Sequence, residues 1–558
     1  DPVTRIEGHL RIEANTDANN VITRASSSGT MVRGIENILN GRDPRDAWAL
    51  AQRICGVCTL VHGIASVRAV ENALDYPIPP NAEYIRNLMI GAQFVHDHVM
   101  HFYHLHALDW VDVVSALDAD PVKAADVQQC MSDWPNASPA YFQDVQQRLS
   151  TFVGSGQLGI FANGYWGHPE YKLPPELNLI AFAHYLEALS WQRSVSRIHT
   201  IFGGKNPHPN FIVGGAPCAI GDPDNMDPGF SVTAVDGAGL DLVATVITEM
   251  QDFVNRVYIP DTLAIARFYK DWGSRGEGVG NFLTYGDFPD PLAGADATDR
   301  LFVPRGVILD RGSVSRTPGR PGRSHSGPGI RQPFPGTTTR RTMTCPLHPY
   351  QGETNMNYSG PTPPFANLDV DQSYSWLKSP RWRGKPMEVG PLARVLMLYA
   401  SDHGPTQELV NGTLEHLKLP VTALFSTLGR VAARTLETKL FADQMATWHT
   451  GLMDNIAKGD LSTHNAELFY PDSWRNSVQG AGYTEAPRGA LGHWVKIENG
   501  RIVNYQAVVP STWNAGPRDA LDQEGPYEAA LRGHRLHDPA QPLEILRTIH
   551  SFDPCLAC

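Results

Sequence analysis

Cysteine is scarce in this chain of 558 residues: there are seven, an odd number and too few for a disulfide framework at this length. Long apolar runs are missing as well. No stretch approaches the roughly 18 uninterrupted apolar residues of a membrane-spanning helix, so none is expected. Basic charge is in deficit, 46 Lys and Arg against 58 Asp and Glu, for a formal net charge of −12. Such a surface repels phosphate backbones and excludes nucleic acid as a partner class. The opening residues, Asp1-Pro2-Val3-Thr4-Arg5, lack the charged and apolar regions of a signal peptide, so any export is expected to be carried by another chain. What remains, 42% hydrophobic and 19% charged, is an ordinary globular composition able to bury a large core.

The stretch His9-Leu10-Arg11-Ile12-Glu13-Ala14, then Asn19-Asn20, then Val21-Ile22-Thr23-Arg24, alternates and turns as a β-hairpin does. Near the other end, Trp494 to Ile497, Asn499-Gly500 and Arg501 to Tyr505 give a stronger signal, because Asn-Gly suits a type I′ turn. Between them the period is helical. Ile85, Leu88, Ala92, Val95, Val99 and Phe102 step by 3, 4, 3, 4 and 3, which places one apolar stripe on a long helix. Patterns at 175–202, 239–269, 390–400 and 406–457 predict further helices packed as a bundle. The expected class is mainly α with small β-hairpins, an α+β chain built on a central bundle of long helices. With neither a linker nor a repeat, residues 1–558 read as one intertwined domain. Residues 311–345 stand apart, with seven arginines, no acidic residue and many Gly, Pro and Ser. They read either as a basic surface loop or as the product of two compensating frame shifts in the gene.

Four cysteines form two C-x-x-C pairs, Cys55/Cys58 and Cys555/Cys558, while Cys130, Cys218 and Cys345 are scattered and read as plain thiols. A two-residue spacer lets both sulfurs of a pair reach one metal. The commonest use of such pairs is a closed zinc site of four cysteines, and a thioredoxin-like redox pair fits less well without βαβ surroundings. The two pairs here are separated by about 500 residues, whereas those of a zinc ribbon lie about 15–20 apart. Spacing alone does not separate nickel from zinc.

The flanking residues carry more. Arg53-Ile54-Cys55-Gly56-Val57-Cys58-Thr59-Leu60-Val61-His62 and Asp553-Pro554-Cys555-Leu556-Ala557-Cys558 together resemble the paired signatures of nickel–iron hydrogenase large subunits. So do Arg5-Ile6-Glu7-Gly8-His9, Arg33-Gly34-Ile35-Glu36, His101-Phe102-Tyr103-His104-Leu105-His106-Ala107-Leu108-Asp109-Trp110, Gly203-Gly204-Lys205-Asn206-Pro207-His208-Pro209 and Pro487-Arg488-Gly489-Ala490-Leu491-Gly492-His493. The resemblance covers nearly the whole chain except 311–345, and in detail it is similar to the membrane-associated uptake branch.

That resemblance implies a metal centre between the N- and C-terminal C-x-x-C loops. Cys55, Cys58, Cys555 and Cys558 would bind nickel, and Cys58 and Cys558 would also bridge to an iron carrying one CO and two cyanides, a donor set that suits these metals. Arg488 matches the arginine over the open face of the metals, a fixed cation oriented by Asp97 and Asp553. Glu7 matches the glutamate that takes the proton onward, with Cys555 preferred to Arg488 as the first base. His62 matches the histidine that hydrogen-bonds a bridging sulfur. Pro487 and Ser511 match the walls that receive the iron's diatomic ligands. Glu36 and the backbone carbonyl of Ala507 match ligands of a magnesium site, whose third ligand is a histidine three residues past the last cysteine, beyond Cys558 where this sequence ends. The run His96, His98, His101, His104 and His106 contains no H-E-x-x-H and reads as hydrogen-bonded core histidines instead.

The function implied is reversible, heterolytic cleavage of H2 to protons and electrons. Electrons would pass to an iron–sulfur small subunit, since the three spare cysteines are too dispersed to hold a cluster here. That partner would bring an export signal, placing the pair on the periplasmic side of the cytoplasmic membrane, with a membrane cytochrome b as a further partner. A maturation endopeptidase would trim the C-terminus. The alternatives are a hydrogen sensor with the same centre and a structural zinc protein.

Overall fold

The computed structural model describes residues 3–156, 158–161, 164–221, 234–293, 300–315, 330–331, 348–352, 354, 374–519 and 521–556. Its spine is a pair of long helices, Pro80–Met100 and Thr427–Ala457, packed along one another. The stripe from Ile85 to Val99 is buried in that seam, and Phe102 continues it in a π-helical turn, His101–His106. Phe94 meets Phe441 at 4.4 Å between ring centroids, and Phe288 stacks on Trp448 at 5.1 Å, so the seam is filled by aromatic rings. Helices Val61–Leu74, Pro175–Val195 and Gly237–Phe253 complete this core.

One expected helix is two. The pattern at 406–457 is divided into Gly404–Leu417 and Thr427–Ala457. Lys418 turns left-handed at φ 54°, Pro420 follows, and Ser426 caps the new helix by accepting from the Gly429 N–H. An apolar period continues across such a break because both pieces face the same core. The segment 311–345 lies mostly outside the described residues; of it, Ser313–Ser315 and Ile330–Arg331 are short strands.

Both hairpins form. Leu10–Thr16 pairs antiparallel with Ile22–Gly29. Gly489–Glu498 pairs with Arg501–Val508 through a turn in which Asn499 and Gly500 both have positive φ, 48° and 71°. A third strand, Ser477–Ala486, joins the second sheet and lies directly on helix Val61–Leu74. Its glycines make that approach possible: a Cβ at Gly482 would stand 1.9 Å from the Ala65 carbonyl oxygen. Among the described residues, no helix is long and apolar enough to cross a membrane.

Candidate metal centre

The first cysteine pair lies where a short 3-10 turn, Gln52–Ile54, ends and before helix Val61–Leu74 begins. The Cys58 N–H donates to Cys55 Sγ at 3.2 Å, folding the loop back on itself. Gln93 fastens this loop to the central helix: its side chain donates to the Val57 carbonyl at 3.0 Å and accepts from the Leu60 N–H at 3.2 Å. The second pair follows helix Leu543–Ser551, where Asp553 takes a left-handed φ of 57° and turns the chain inward. The Cys555 N–H donates to Ser511 Oγ at 2.9 Å. The N-terminal segment then clamps this loop: Glu7 N–H donates to the Pro554 carbonyl at 3.2 Å, and Leu556 N–H donates to the Glu7 carbonyl at 2.8 Å.

These loops bring three sulfurs together. Cys55 Sγ lies 3.2 Å from Cys555 Sγ, and Cys58 Sγ lies 3.9 Å from it. Among the described residues this is the one group of three or more potential ligands within 4.8 Å of one another. Cys558 lies outside the described residues, as does Cys345. Cys130 is exposed and Cys218 buried, both apart from the cluster, and burial pushes the Cys218 thiol up to about 12.

Arg488 stands beside the sulfurs. It lies in the two-residue turn between the paired residues Ala486 and Gly489, after Pro487. Its Nη1 donates to Asp97 Oδ2 at 3.0 Å, and its Nε forms an ion pair with Asp553 Oδ1 at 3.0 Å. Burial works against the guanidinium charge, but Asp553, Cys555, Asp97 and Cys58 together hold it well above the usual arginine range. The Asp553 carboxyl is raised by burial, against the pull of Arg488 and Arg434. Arg488 Nη2 and His62 Nε2 are buried polar atoms without a hydrogen-bond partner among the described residues. Soft sulfur donors beside a buried guanidinium with an unpartnered N–H fit a bound metal with polar ligands of its own.

Glu7 reaches this cluster from the half-buried N-terminal segment, with Cys555 Sγ 3.3 Å from its Oε2. His62 lies on the first turn of the helix after Cys58; burial pushes it down to about 4, while the Cys55 charge pulls it up. Glu36 and Ala507 also meet. The Ala507 N–H donates to Glu36 Oε1 at 2.7 Å, and the Lys378 ammonium donates to the Ala507 carbonyl at 2.8 Å, to Gln506 Oε1 at 3.3 Å and to the Glu36 carboxylate. Thr354 donates to the other Glu36 oxygen. Carboxylate, carbonyl, amide and hydroxyl oxygens are of the kind that suits magnesium, and the Lys378 ammonium is the cation among them here.

The histidine-rich turn is tied to the scaffold. His101 bonds the His550 carbonyl at 2.7 Å, His104 the Tyr185 carbonyl at 3.1 Å and His106 the Arg547 carbonyl at 3.1 Å. His96 bonds Asp97 at 3.0 Å, whereas among the described residues neither ring nitrogen of His98 makes a hydrogen bond, its Nε2 lying 3.7 Å from Glu437.

Sequence reasoning missed Arg394. It is fully buried in helix Pro391–Ala400, donating to the carbonyls of Ala486 at 2.8 Å and Pro487 at 2.7 Å, so it grips the two peptides just before Arg488. Glu437 at 2.5 Å and Glu485 at 3.0 Å hold it there. The signal was a lone arginine inside Pro391-Leu392-Ala393-Arg394-Val395-Leu396-Met397-Leu398. Arg394→Met should cost about 3–5 kcal/mol, because it strands two carboxylates in the core. Burial already pushes Glu485 up to about 7, with Arg394 working against it. Without Arg394 both folded pKa values rise further. Below the parent's folded values, about 7 for Glu485, both proteins hold these carboxyls protonated, so the pH-dependent part of the defect should be absent near the unfolded value of about 4.3 and open as pH rises through neutrality. Unfolding midpoints of both proteins across that range would check this.

The model of the nickel-dependent hydrogenase family matches residues 33–558, and a HoxL-like model matches residues 1–28. The chain is 52% identical to the uptake hydrogenase large subunit of Rhizobium leguminosarum bv. viciae, covering 100% of this chain and 94% of that protein. It is 49% identical to the hydrogenase-1 large chain of Escherichia coli K12 with the same coverage. The fold is similar to that of the Ni-Fe-Se hydrogenase from D. vulgaris Hildenborough in its as-isolated oxidized state. There the TM-score is 0.75 at 30% identity, covering 100% of this chain and 98% of that one.

Proposed function

Because this chain belongs to the nickel-dependent hydrogenases, as a large subunit of the uptake type, we propose that it splits H2 heterolytically and reversibly at a centre held by Cys55, Cys58, Cys555 and Cys558. The observation that carries this is the buried thiol cluster with Arg488 on one side and Glu7 on the other. Cys55, Cys58, Cys555 and Cys558 would hold nickel, and Cys58 and Cys558 also an iron with one CO and two cyanides, which together would supply Lewis-acid and redox chemistry.

The chain's own residues do the rest. Asp97 and Asp553 fix the Arg488 guanidinium so that it neutralises the thiolates and presents its spare N–H groups to the open face. Cys555 Sγ receives the proton and passes it 3.3 Å to Glu7 Oε2, from the buried cluster into a half-buried segment. Pro487 and Ser511 form walls for the iron's diatomic ligands, and His62 donates toward a cluster sulfur. The termini pair at the site itself, which supports reading residues 1–558 as one functional unit.

Electrons leave through an iron–sulfur small subunit, by analogy with the relatives named large subunits. That partner carries the pair to the periplasmic side of the cytoplasmic membrane and onward to a cytochrome b. Glu36 and the Ala507 carbonyl would hold a magnesium ion, and an endopeptidase trims the chain end. Glu36→Gln should lose magnesium and keep nickel, as elemental analysis would read; equal magnesium in both proteins would remove Glu36 from that site.

Turnover separates an enzyme from a sensor. H2-dependent reduction of a dye acceptor should be fast in the isolated heterodimer, and trace turnover with the centre intact would favour the sensor. Arg488→Lys should slow it by orders of magnitude with both metals retained, because an ammonium cannot span Asp97 and Asp553. A near-normal rate would take Arg488 out of the mechanism.

A further inference from the structure

Behind the cysteine cluster runs a buried line of three side chains. Tyr505 Oη lies 2.6 Å from His493 Nδ1, and His493 Nε2 lies 3.1 Å from His62 Nδ1. All three are at most 1% exposed. They come from two paired strands, Gly489–Glu498 and Arg501–Val508, and from the helix that follows Cys58. His62 Nε2, at the far end, has no partner among the described residues.

We propose that Tyr505 and His493 are positioning residues that fix the tautomer of His62, so that its Nε2 always carries a proton and donates toward the metal-binding thiolates. The inference rests on the reading of that cluster as the nickel centre. Burial disfavours a second proton on His493 and keeps the phenol protonated. The His493 imidazole therefore has one N–H and one lone pair. The Tyr505 hydroxyl has two side-chain neighbours, His493 Nδ1 at 2.6 Å and the Ser66 hydroxyl; the imidazole nitrogen is much the stronger base, so the phenol donates there and can accept from Ser66. That leaves the His493 proton on Nε2, which donates to His62 Nδ1, and the His62 proton on Nε2. The opposite order leaves the phenol proton only the Ser66 hydroxyl, a weaker acceptor, and turns a bare nitrogen lone pair toward anionic sulfur. A tyrosine thus sets, through two rings, which face His62 shows the metals.

Two experiments test this. Neutron diffraction from deuterium-exchanged crystals of the heterodimer should place deuterium on Tyr505 Oη, His493 Nε2 and His62 Nε2. Deuterium on His62 Nδ1 overturns the proposal. This readout does not require metal, so it survives failure of the nickel reading, which would be revealed separately by absent nickel and absent CO and cyanide bands. Where those bands are present, Tyr505→Phe should shift them to lower frequency with metal content unchanged, because a thiolate that loses a fixed donor pushes more electron density onto iron. Unchanged bands overturn it. Should Tyr505→Phe assemble no centre, a fluorotyrosine at 505, a more acidic donor of the same shape, should shift them to higher frequency, and bands fixed under that change count equally against it.

Discussion

Cys58→Ser is expected to yield a folded chain without nickel and without H2 turnover. Three sulfurs already lie within 4.8 Å of one another, so each is a ligand candidate that no neighbour replaces. Serine keeps the shape and removes the chemistry: an alcohol stays protonated near neutral pH and is a poor donor to soft metals, whereas a thiol ionises on binding. Cys58 would bridge both metals, so its loss should prevent the pair from assembling rather than weaken it, and Cys558→Ser should behave alike. Cys130→Ser, an exposed position away from the cluster, should match the parent protein. Nickel and iron per chain and dye-reduction rates check all three; full nickel and activity in Cys58→Ser would remove Cys58 from the ligand set.

Glu7→Gln should keep both metals and lose the reaction. The contacts that place residue 7 on the second cysteine loop are main-chain bonds, Glu7 N–H to the Pro554 carbonyl and Leu556 N–H to the Glu7 carbonyl, and an amide side chain leaves them intact. What changes is the atom 3.3 Å from Cys555 Sγ, which no longer takes up a proton. General-base groups contribute typically about 10²–10⁴ in rate, and exchange of hydrogen isotopes between H2 and water should fall by that order or more. Exchange within twofold of the parent would assign the proton route to another residue.

How much of this could be read in advance differs by the kind of signal. The seam of helix Pro80–Met100 was visible because its apolar residues repeat along one face, and the Asn499-Gly500 turn because few residues accept positive φ twice running. Strand Ser477–Ala486 was not, since Gly480 and Gly482 depress strand propensity for a reason that exists only in three dimensions: the helix backbone they touch is more than 400 residues away in sequence. The break at Lys418 had a sign in Pro420, which the apolar residues resuming on its far side outweighed in the pattern. At the site, the cysteines, Arg488 and Glu7 were legible through motif resemblance. Arg394 looked like an isolated charge in an apolar run, and Lys378, His493 and Tyr505 carry no local sign of the contacts they make with Glu36, Ala507 and His62.

The central claim is that the thiol cluster holds a nickel–iron centre with diatomic ligands. Elemental analysis of the isolated protein, taken with its infrared spectrum, tests it most directly. The expected result is one nickel and one iron per chain, with one CO band and two cyanide bands. Stoichiometric zinc with no such bands would contradict it.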